Sequence, residues 1–574
     1  MSGTVGEVVG VNGPVVRLSG LESGARYEFV EVGHARLPGE IIAVTRDHVV
    51  AQLYEYSGGL TVGEPAWRSG HPLEVELVPG LLGGVYDGLL RSLAGAEEFL
   101  GPRRIDTGEA GVHLFVPAIA AGERVGAGAT LGRVPDVSGP EHLVLVPPAS
   151  AGEVDWVAPA GEVGTHDAVA VVGGVEIALA STWPVRRRRP VARRSVERVP
   201  FLTGQRVLDL LAPIARGSSA TVIGGFGEGK TMLLEQLAKW GDADLVIYVG
   251  CGERGNEMTD LIAELADLVD PRSGRPLMDR TIVLANTSNM PVMAREASIY
   301  TAVTVAEYYR DMGHHVVIIA DSTSRWAEAQ RELASRTGSI PAEEGYPADL
   351  PAALAAFYQR AGRVTTLGGS DGAVTIVTSV SPPGGDVTEP VAAHTRRFVQ
   401  AVWALDRDLA AARHYPAVSW TATFSRDGDA VGRWHASGQD PDWSVRRARL
   451  DALLVEADRL RGIADLVGVA ALPPEERLVL LTAGLIRSAV LQQSALSAND
   501  ASCSPAKQAA LAAGVLAVHD AAADAVRAGA PATAVEGIDF GPLVRAKDTT
   551  GPDDAAGVEQ IVAAAVRALA DLAP

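Results

Sequence analysis

Cysteine is nearly absent from this 574-residue chain. Cys251 and Cys503 are the only two, too few for a disulfide framework and without metal-ligand spacing. Both are expected to be small buried thiols in a reducing cytosol. Lysine is almost as scarce: among 50 basic residues only Lys230, Lys239, Lys507 and Lys547 are lysines. A lysine that survives at a motif position therefore marks a place where a compact point charge has to fit. No uncharged apolar run of about 18 residues occurs, so no bilayer-spanning helix is expected. The opening residues MSGTVGEVVGVNG lack a basic region followed by an apolar one, so no secretory signal is read there. Excess positive charge is missing as well. A formal net charge of −20 argues against a general nucleic-acid binder or a binder of anionic membranes, since both need a basic surface. The run RRRR at 186–189, with Arg193 and Arg194, is a local exception. It is read as a solvated linker that pairs with neighbouring acids.

What is present is ordinary globular material, 47% hydrophobic and 21% charged. The length suggests about four domains. Segments 5–11, 15–18, 27–32, 40–45 and 48–54 are rich in Val, Ile and Tyr, and turns such as Asn12-Gly13-Pro14 and Leu37-Pro38-Gly39 punctuate them. Their spacing predicts a small antiparallel barrel over 1–70. A connecting segment, 71–109, holds a predicted short helix at 86–93. Residues 110–185 read as a β-rich insertion, with strands in HLFVPAI, HLVLVPPA, EVDWVAPAG and AVAVVGGVEIALA. Over 186–435 strand-length apolar runs (220–224, 245–250, 315–320, 373–380) alternate with helical periods (231–240, 256–269, 294–312). This alternation predicts a parallel sheet with helices on both faces. Met258, Ile262, Leu265 and Val269 mark the stripe of the second helix, which Pro271 would end. Over 436–574 strands disappear, and Ala-rich helices are predicted at 444–460, 475–496, 504–528 and 557–572, with Ser504-Pro505 as a cap and first-turn pair.

The strongest motif is GGFGEGKT: Gly224, Gly225, Phe226, Gly227, Glu228, Gly229, Lys230 and Thr231. It fits G-x-x-x-x-G-K-S/T and lies between a predicted strand and helix, the context a phosphate loop needs. Glycines let backbone N–H groups turn inward around phosphate oxygens, and the helix N-terminus adds positive potential. Lys230 would reach the β- and γ-phosphates, and the Thr231 hydroxyl would be a ligand for Mg²⁺. Asp321, at the end of VVIIAD, is a carboxylate suited to the same metal. Glu253, after LVIYVGCG, would face the γ-phosphate and polarise an attacking water. Arg254 beside it either touches phosphate or pairs with an acid. GGSDG at 368–372 matches a nucleophile pattern, but a strand follows it instead of a helix, so it is read as a turn.

GGFGEGKT, GCGERGNEMTDL, NTSNMPVMAREASIYTAVTVAEYYRDMG, ADSTSRWAEA, PAEEGYPADLPAALAAFYQRAGRV and SVSPPGGDVTEP closely resemble the catalytic A subunits of V-type and A-type rotary ATPases. The resemblance implies an N-terminal β-barrel, a β-rich insertion, a central RecA-like α/β P-loop domain and a C-terminal helical bundle. It implies turnover of ATP and ADP with Mg²⁺ in a hexamer alternating with B subunits, which would supply an arginine finger in trans. It also implies contact with central shaft and peripheral stalk subunits, indirect coupling to a membrane ion-translocating sector, no nucleic acid, and a place on the cytoplasmic face of the membrane. By position it gives Lys230 and Thr231 phosphate and Mg²⁺ binding, Asp321 the magnesium carboxylate, Glu253 the water-activating role, Arg254 a γ-phosphate contact and Tyr415 a place near adenine. The chain departs from the family in its loop, where Gly225 replaces Pro and Glu228 replaces a small residue. Ser494 and Leu496 also depart, standing where the family tends to have Asn and an aromatic. Two other readings are a nucleotide-binding subunit without turnover and an export or Rho-like hexameric ATPase.

Overall fold

The computed structural model describes residues 5–95, 111–135, 139–270, 272–337, 340–438 and 440–572. Pro271 and much of the predicted connecting segment lie outside them.

The first strands close into a barrel in the order Val5–Asn12, Val15–Ser19, Val49–Leu53, Leu37–Val44, Glu28–Val32, Pro65–Pro72. Alternation fills it: Val8, Val16, Leu18, Val30 and Ile41 point inward and are fully buried. The last strand, Pro65–Pro72, has no counterpart in the sequence reading, because Pro, Ser, Gly and His dilute its β signal. Leu37-Pro38-Gly39 is not a turn. It is the start of a strand in which Pro38 O accepts from Tyr54 N at 2.8 Å; proline needs no donor there.

The strand Glu74–Leu77 leaves the barrel and pairs antiparallel with Ser181–Pro184, a returning strand. Between them lies the β-rich insertion, two four-stranded sheets around a core of its own that includes Phe115, Leu131, Val154 and Val169. No helix forms at 86–93. Val85–Tyr86 instead adds a parallel strand beside Thr281–Asn286. The Asp87 carboxylate then takes the N–H groups of Leu89 and Arg91, both at 2.9 Å, and Leu90 has φ 64°. Gly88 lies so close to the neighbouring helix that a Cβ would fall 2.1 Å from Ala294 O. A side-chain acceptor that captures local donors competes with the helix ladder.

The central sheet runs Phe424–Ser425, Ala401–Ala404, Ser219–Ile223, Asp371–Val380, His315–Asp321, Leu245–Cys251, Thr281–Asn286, Val85–Tyr86. Neighbours from Ala401–Ala404 to Val85–Tyr86 are parallel. Thr281–Asn286 and Ala401–Ala404 have no counterpart among the predicted strands. The helix Gly255–Asp267 buries Met258 and Leu265 as predicted, with Leu261 beside them and Ile262 partly buried, but it ends before Val269, which is 54% exposed. GGSDG is a hairpin turn between Gly362–Thr365 and Asp371–Val380.

The arginine run pairs with acids as expected but is only partly solvated: Arg187 and Arg188 are exposed, whereas Arg186 is half-buried and Arg189 buried. Arg186 Nη2 lies 3.2 Å from Glu40 of the barrel and 2.8 Å from Glu296 of the helix Val292–Asp311. Arg189 Nε is 2.7 Å from Asp311. The run thus fastens barrel to sheet domain through acids buried on both sides. Arg193 and Arg194 remain exposed but form a short strand on Gly362–Thr365.

The C-terminal helices include Trp443–Val467, Pro474–Leu485, Pro505–Arg527 and Ala555–Ala570. The predicted helix 475–496 ends early, through a π-helical segment at Ile486–Leu491. Pro505–Arg527 is long and apolar enough to cross a membrane, yet 50% of its apolar window is buried inside the protein. Ser504 caps it by accepting from Lys507 N, and Leu511, Val515 and Val518 are buried. These helices share one continuous core with a face of the sheet domain: Leu234 and Trp403 belong to the same cluster as Leu454 and Leu511. Cys251 and Cys503 are both buried and free.

Candidate nucleotide site

The phosphate loop links the buried strand Ser219–Ile223 to the helix Lys230–Trp240. Gly227 and Gly229 have φ 80° and 92°, conformations that side chains rarely adopt. They let the chain curl back above the helix N-terminus, where unpaired N–H groups and the helix dipole favour an anion. Lys230 Nζ donates to Gly224 O at 2.7 Å and also to Gly225 O. Burial lowers its pKa, while Asp321, Glu228 and Glu253 oppose that shift. The ammonium thus lies across the loop, among three carboxylates.

Asp321 ends the strand His315–Asp321, next but one to the loop strand. Its carboxylate accepts from the Thr231 hydroxyl at 3.0 Å and from the Ser379 hydroxyl. Burial raises its pKa against those bonds and Lys230. Two hard oxygen donors beside a phosphate loop fit a small divalent cation such as Mg²⁺, which takes one or two protein ligands and fills the rest with phosphate and water. Among the described residues no group of three or more His, Cys, Asp or Glu is placed to hold a metal, in keeping with so open a ligand set.

Glu253 follows the strand Leu245–Cys251 after Gly252, whose φ is 76°. The turn is fixed by Gly252 N on Asn286 O at 2.7 Å and Ser288 N on Glu253 O at 2.9 Å. Burial, then Asp321 and Glu257, push the Glu253 carboxyl up to about 7, with Arg325 opposing. Such a carboxyl is poised to exchange a proton near neutrality.

The other candidate residues fall on both sides of this group. The Tyr415 ring packs on the loop, 3.4 Å from where a Gly229 Cβ would sit. Phe226 is 96% exposed at the loop tip. Arg254 is the N-cap of Gly255–Asp267, and its ion-pair partner is Glu257 on that helix at 3.9 Å. Leu496 is 99% exposed. Two polar residues escaped the sequence reading. Ser379 sits one residue before the end of Asp371–Val380, a strand that pairs with the loop strand; the rule that ligands gather at strand C-termini could have flagged it. Glu235, on the loop helix, is also raised to about 7 by burial and by Glu264 and Asp321.

The two loop departures are one feature. Glu228 Oε2 accepts from Gly225 N at 2.6 Å, and proline has no N–H to give. Glycine at 225 supplies the donor that the carboxylate needs. Glu228→Ser is therefore expected to tighten ATP binding several-fold at low salt, by removing a negative charge near the phosphates. Gly225→Pro should weaken binding in the parent chain and have little effect in the Glu228→Ser background. Titration calorimetry of the four chains measures the coupling, and equal effects of Gly225→Pro in both backgrounds would deny it.

A glycine loop at a helix N-terminus, a lysine across it and two carboxylates at neighbouring strand ends define a P-loop nucleotide-binding ATPase. The comparisons with known proteins narrow this further. Residues 204–425 match the nucleotide-binding domain model of the ATP synthase alpha/beta family, 109–186 its barrel-sandwich domain, and 433–535 the C-terminal domain of V and A type ATP synthase. A V-type ATP synthase alpha chain from Anaeromyxobacter sp. (strain K) is 49% identical over 92% of each chain. The A subunit of the A-type ATP synthase from Ignicoccus hospitalis is 44% identical over 99% of each. The fold is also that of the assembled ATPase EscN from the enteropathogenic E. coli type III secretion system, with TM-score 0.65, 20% identity, and coverage of 89% of this chain and 100% of that one. The chain belongs to the ATP synthase alpha/beta family, among the catalytic A (alpha) subunits of the V/A type. It is an ATP-turning-over subunit of the rotary type, binds ATP and ADP, and works in a complex with other subunits.

Proposed function

We propose that this chain holds MgATP at the interfaces of a hexamer in which it alternates with B subunits, and that the B partner supplies an arginine finger in trans. The observation that carries this reading is the position of Lys230, fixed across the loop on two carbonyls while Thr231 and Asp321 meet at 3.0 Å beside it. Lys230 would release those carbonyls for the β- and γ-phosphates. Thr231 and Asp321 would hold Mg²⁺, which when bound neutralises charge on the phosphate oxygens. Glu253 would orient a water in line with the γ-phosphorus and take up its proton; Arg254, at the next cap position, would contact the γ-phosphate. Tyr415 would wall the base. Acceleration comes from positioning and preorganised charge, with no covalent intermediate.

The proposed functional division is barrel 1–70, whose last strand runs on to Pro72, connection 71–109, insertion 110–185, nucleotide domain 186–435 and helical domain 436–574. The helical domain would bear on the central shaft, with stalk subunits alongside. The complex would sit on the cytoplasmic face of a membrane and drive protons or sodium ions through a separate sector. Co-expression with the B subunit tests the reading. The expected result is a stable hexamer with Mg²⁺-dependent ATPase activity well above that of the chain alone. Equal activity of chain and mixture would refute the shared site.

A further inference from the structure

Two of the scarce lysines, Lys507 and Lys547, lie in the C-terminal helices. Lys507 is completely buried, and its ammonium donates to three backbone carbonyls: Asn499 O at 2.9 Å, Lys547 O at 2.8 Å and Thr550 O at 3.0 Å. The last two end the helix Gly541–Thr549, where carbonyls without helical partners and the helix dipole favour a cation. Lys547, from that same helix, sends its own ammonium to Ser488 O at 2.7 Å and to Gln492 O and Oε1, both at 3.2 Å. These atoms belong to the π-helical segment and the residue after it. A third buried cation, Arg206 of the nucleotide domain, reaches the same stretch from the other side. Its guanidinium donates to Val490 O at 2.6 Å and Gln492 O at 2.7 Å and pairs with the buried Asp500 at 2.6 Å.

The clamped stretch leads to Tyr415 and the phosphate loop. Gln493, the next residue, donates its backbone N–H to Tyr415 O at 2.8 Å. Its side chain donates to Gly204 O at 2.8 Å and accepts from Arg206 N at 2.9 Å. Tyr415 in turn packs on Gly229 of the phosphate loop. A chain of hydrogen bonds thus runs from the helical domain, through Lys507 and Lys547, to the wall of the loop. A desolvated ammonium costs free energy, and apolar residues would pack this region more cheaply. Three carbonyls converging on one small cation give directional restraint that packing alone does not.

We propose that Lys547, braced by Lys507, is a positioning residue for nucleotide: it fixes segment 486–493, so that Gln493 holds Tyr415 against the loop. The inference rests on the reading of Tyr415 as a wall of the nucleotide site, and the test separates the two. MgADP binding to the full-length chain is measured by calorimetry for the parent, Lys547→Met, Tyr415→Ala and the double variant. Lys547→Met is expected to weaken MgADP binding about tenfold in the parent and to change nothing further in the Tyr415→Ala background, as for two members of one network. Losses that multiply, or unchanged affinity in Lys547→Met while Tyr415→Ala weakens binding, would overturn the link. Unchanged affinity in Tyr415→Ala would overturn the wall and the link with it. Amide exchange at Gln493 gives a readout that lost stability alone does not mimic: MgADP should slow it in the parent and leave it unchanged in Lys547→Met. Should Lys547→Met fail to fold, Gln493→Met, which keeps the backbone donor to Tyr415 and loses both side-chain bonds, carries the same comparison.

Discussion

Glu253→Gln should abolish steady-state ATP turnover in the reconstituted complex, by roughly 10²–10⁴-fold, the range general-base catalysis supplies, while MgADP still binds. Glutamine keeps the shape and can hold a water but cannot accept its proton. The parent should also carry a pH signature. The Glu253 carboxyl is pushed up to about 7 by burial and by Asp321 and Glu257, and a base acts only when ionised, so kcat/KM should fall as pH drops through about 7. The residual rate of Glu253→Gln should lack that limb. Parent-like turnover in the variant would remove Glu253 from the mechanism.

Lys230→Ala should produce the other large loss. The ammonium lies across the loop between two carbonyls, so its removal leaves the triphosphate without its nearest cation and the loop without an internal clamp. MgATP affinity should fall by roughly 10- to 150-fold, since a charge-assisted hydrogen bond to a charged group is worth about 1.5–3 kcal/mol, and turnover should become undetectable. Lys230→Arg should rescue little, because a planar guanidinium does not fit where a compact ammonium meets two carbonyls. Retained ATPase activity in Lys230→Ala would favour the reading in which this chain only binds nucleotide and turnover lies elsewhere.

The phosphate loop, both carboxylates and the sheet that carries them are legible in the sequence for one reason. A buried parallel strand is a continuous apolar run, and the first charged residue at its end or just past it stands out by polarity; Asp321 and Glu253 are found this way. Ser379 is not, because a serine after two threonines in TIVTSV does not contrast with its neighbours. The helix wrongly expected at 86–93 shows the opposite failure. Its apolar spacing suits a helix, but Asp87 captures two local donors and Gly88 is pressed against Ala294, facts that depend on a helix about two hundred residues away. Arg186 and Arg189 look solvated in the sequence because their acids, Glu40, Glu296 and Asp311, are remote along the chain. The coupling of Gly225 to Glu228 is visible only as two separate departures until one hydrogen bond joins them.

The ribbon formed by Glu74–Leu77 and Ser181–Pro184 has a bearing on how such a machine can be modified. Both ends of the excursion across 78–180 are tethered side by side, so lengthening it adds only a slowly growing loop-closure cost. The excursion is nevertheless stitched to the catalytic sheet at two places: Val85–Tyr86 pairs with Thr281–Asn286, and His142 Nε2 meets the Tyr308 hydroxyl of the helix Val292–Asp311 at 2.9 Å. Added length is therefore best carried by a turn of the insertion away from those stitches, such as Gly173-Gly174 between two of its strands, like a fitting hung on a bracket whose bolts stay in place.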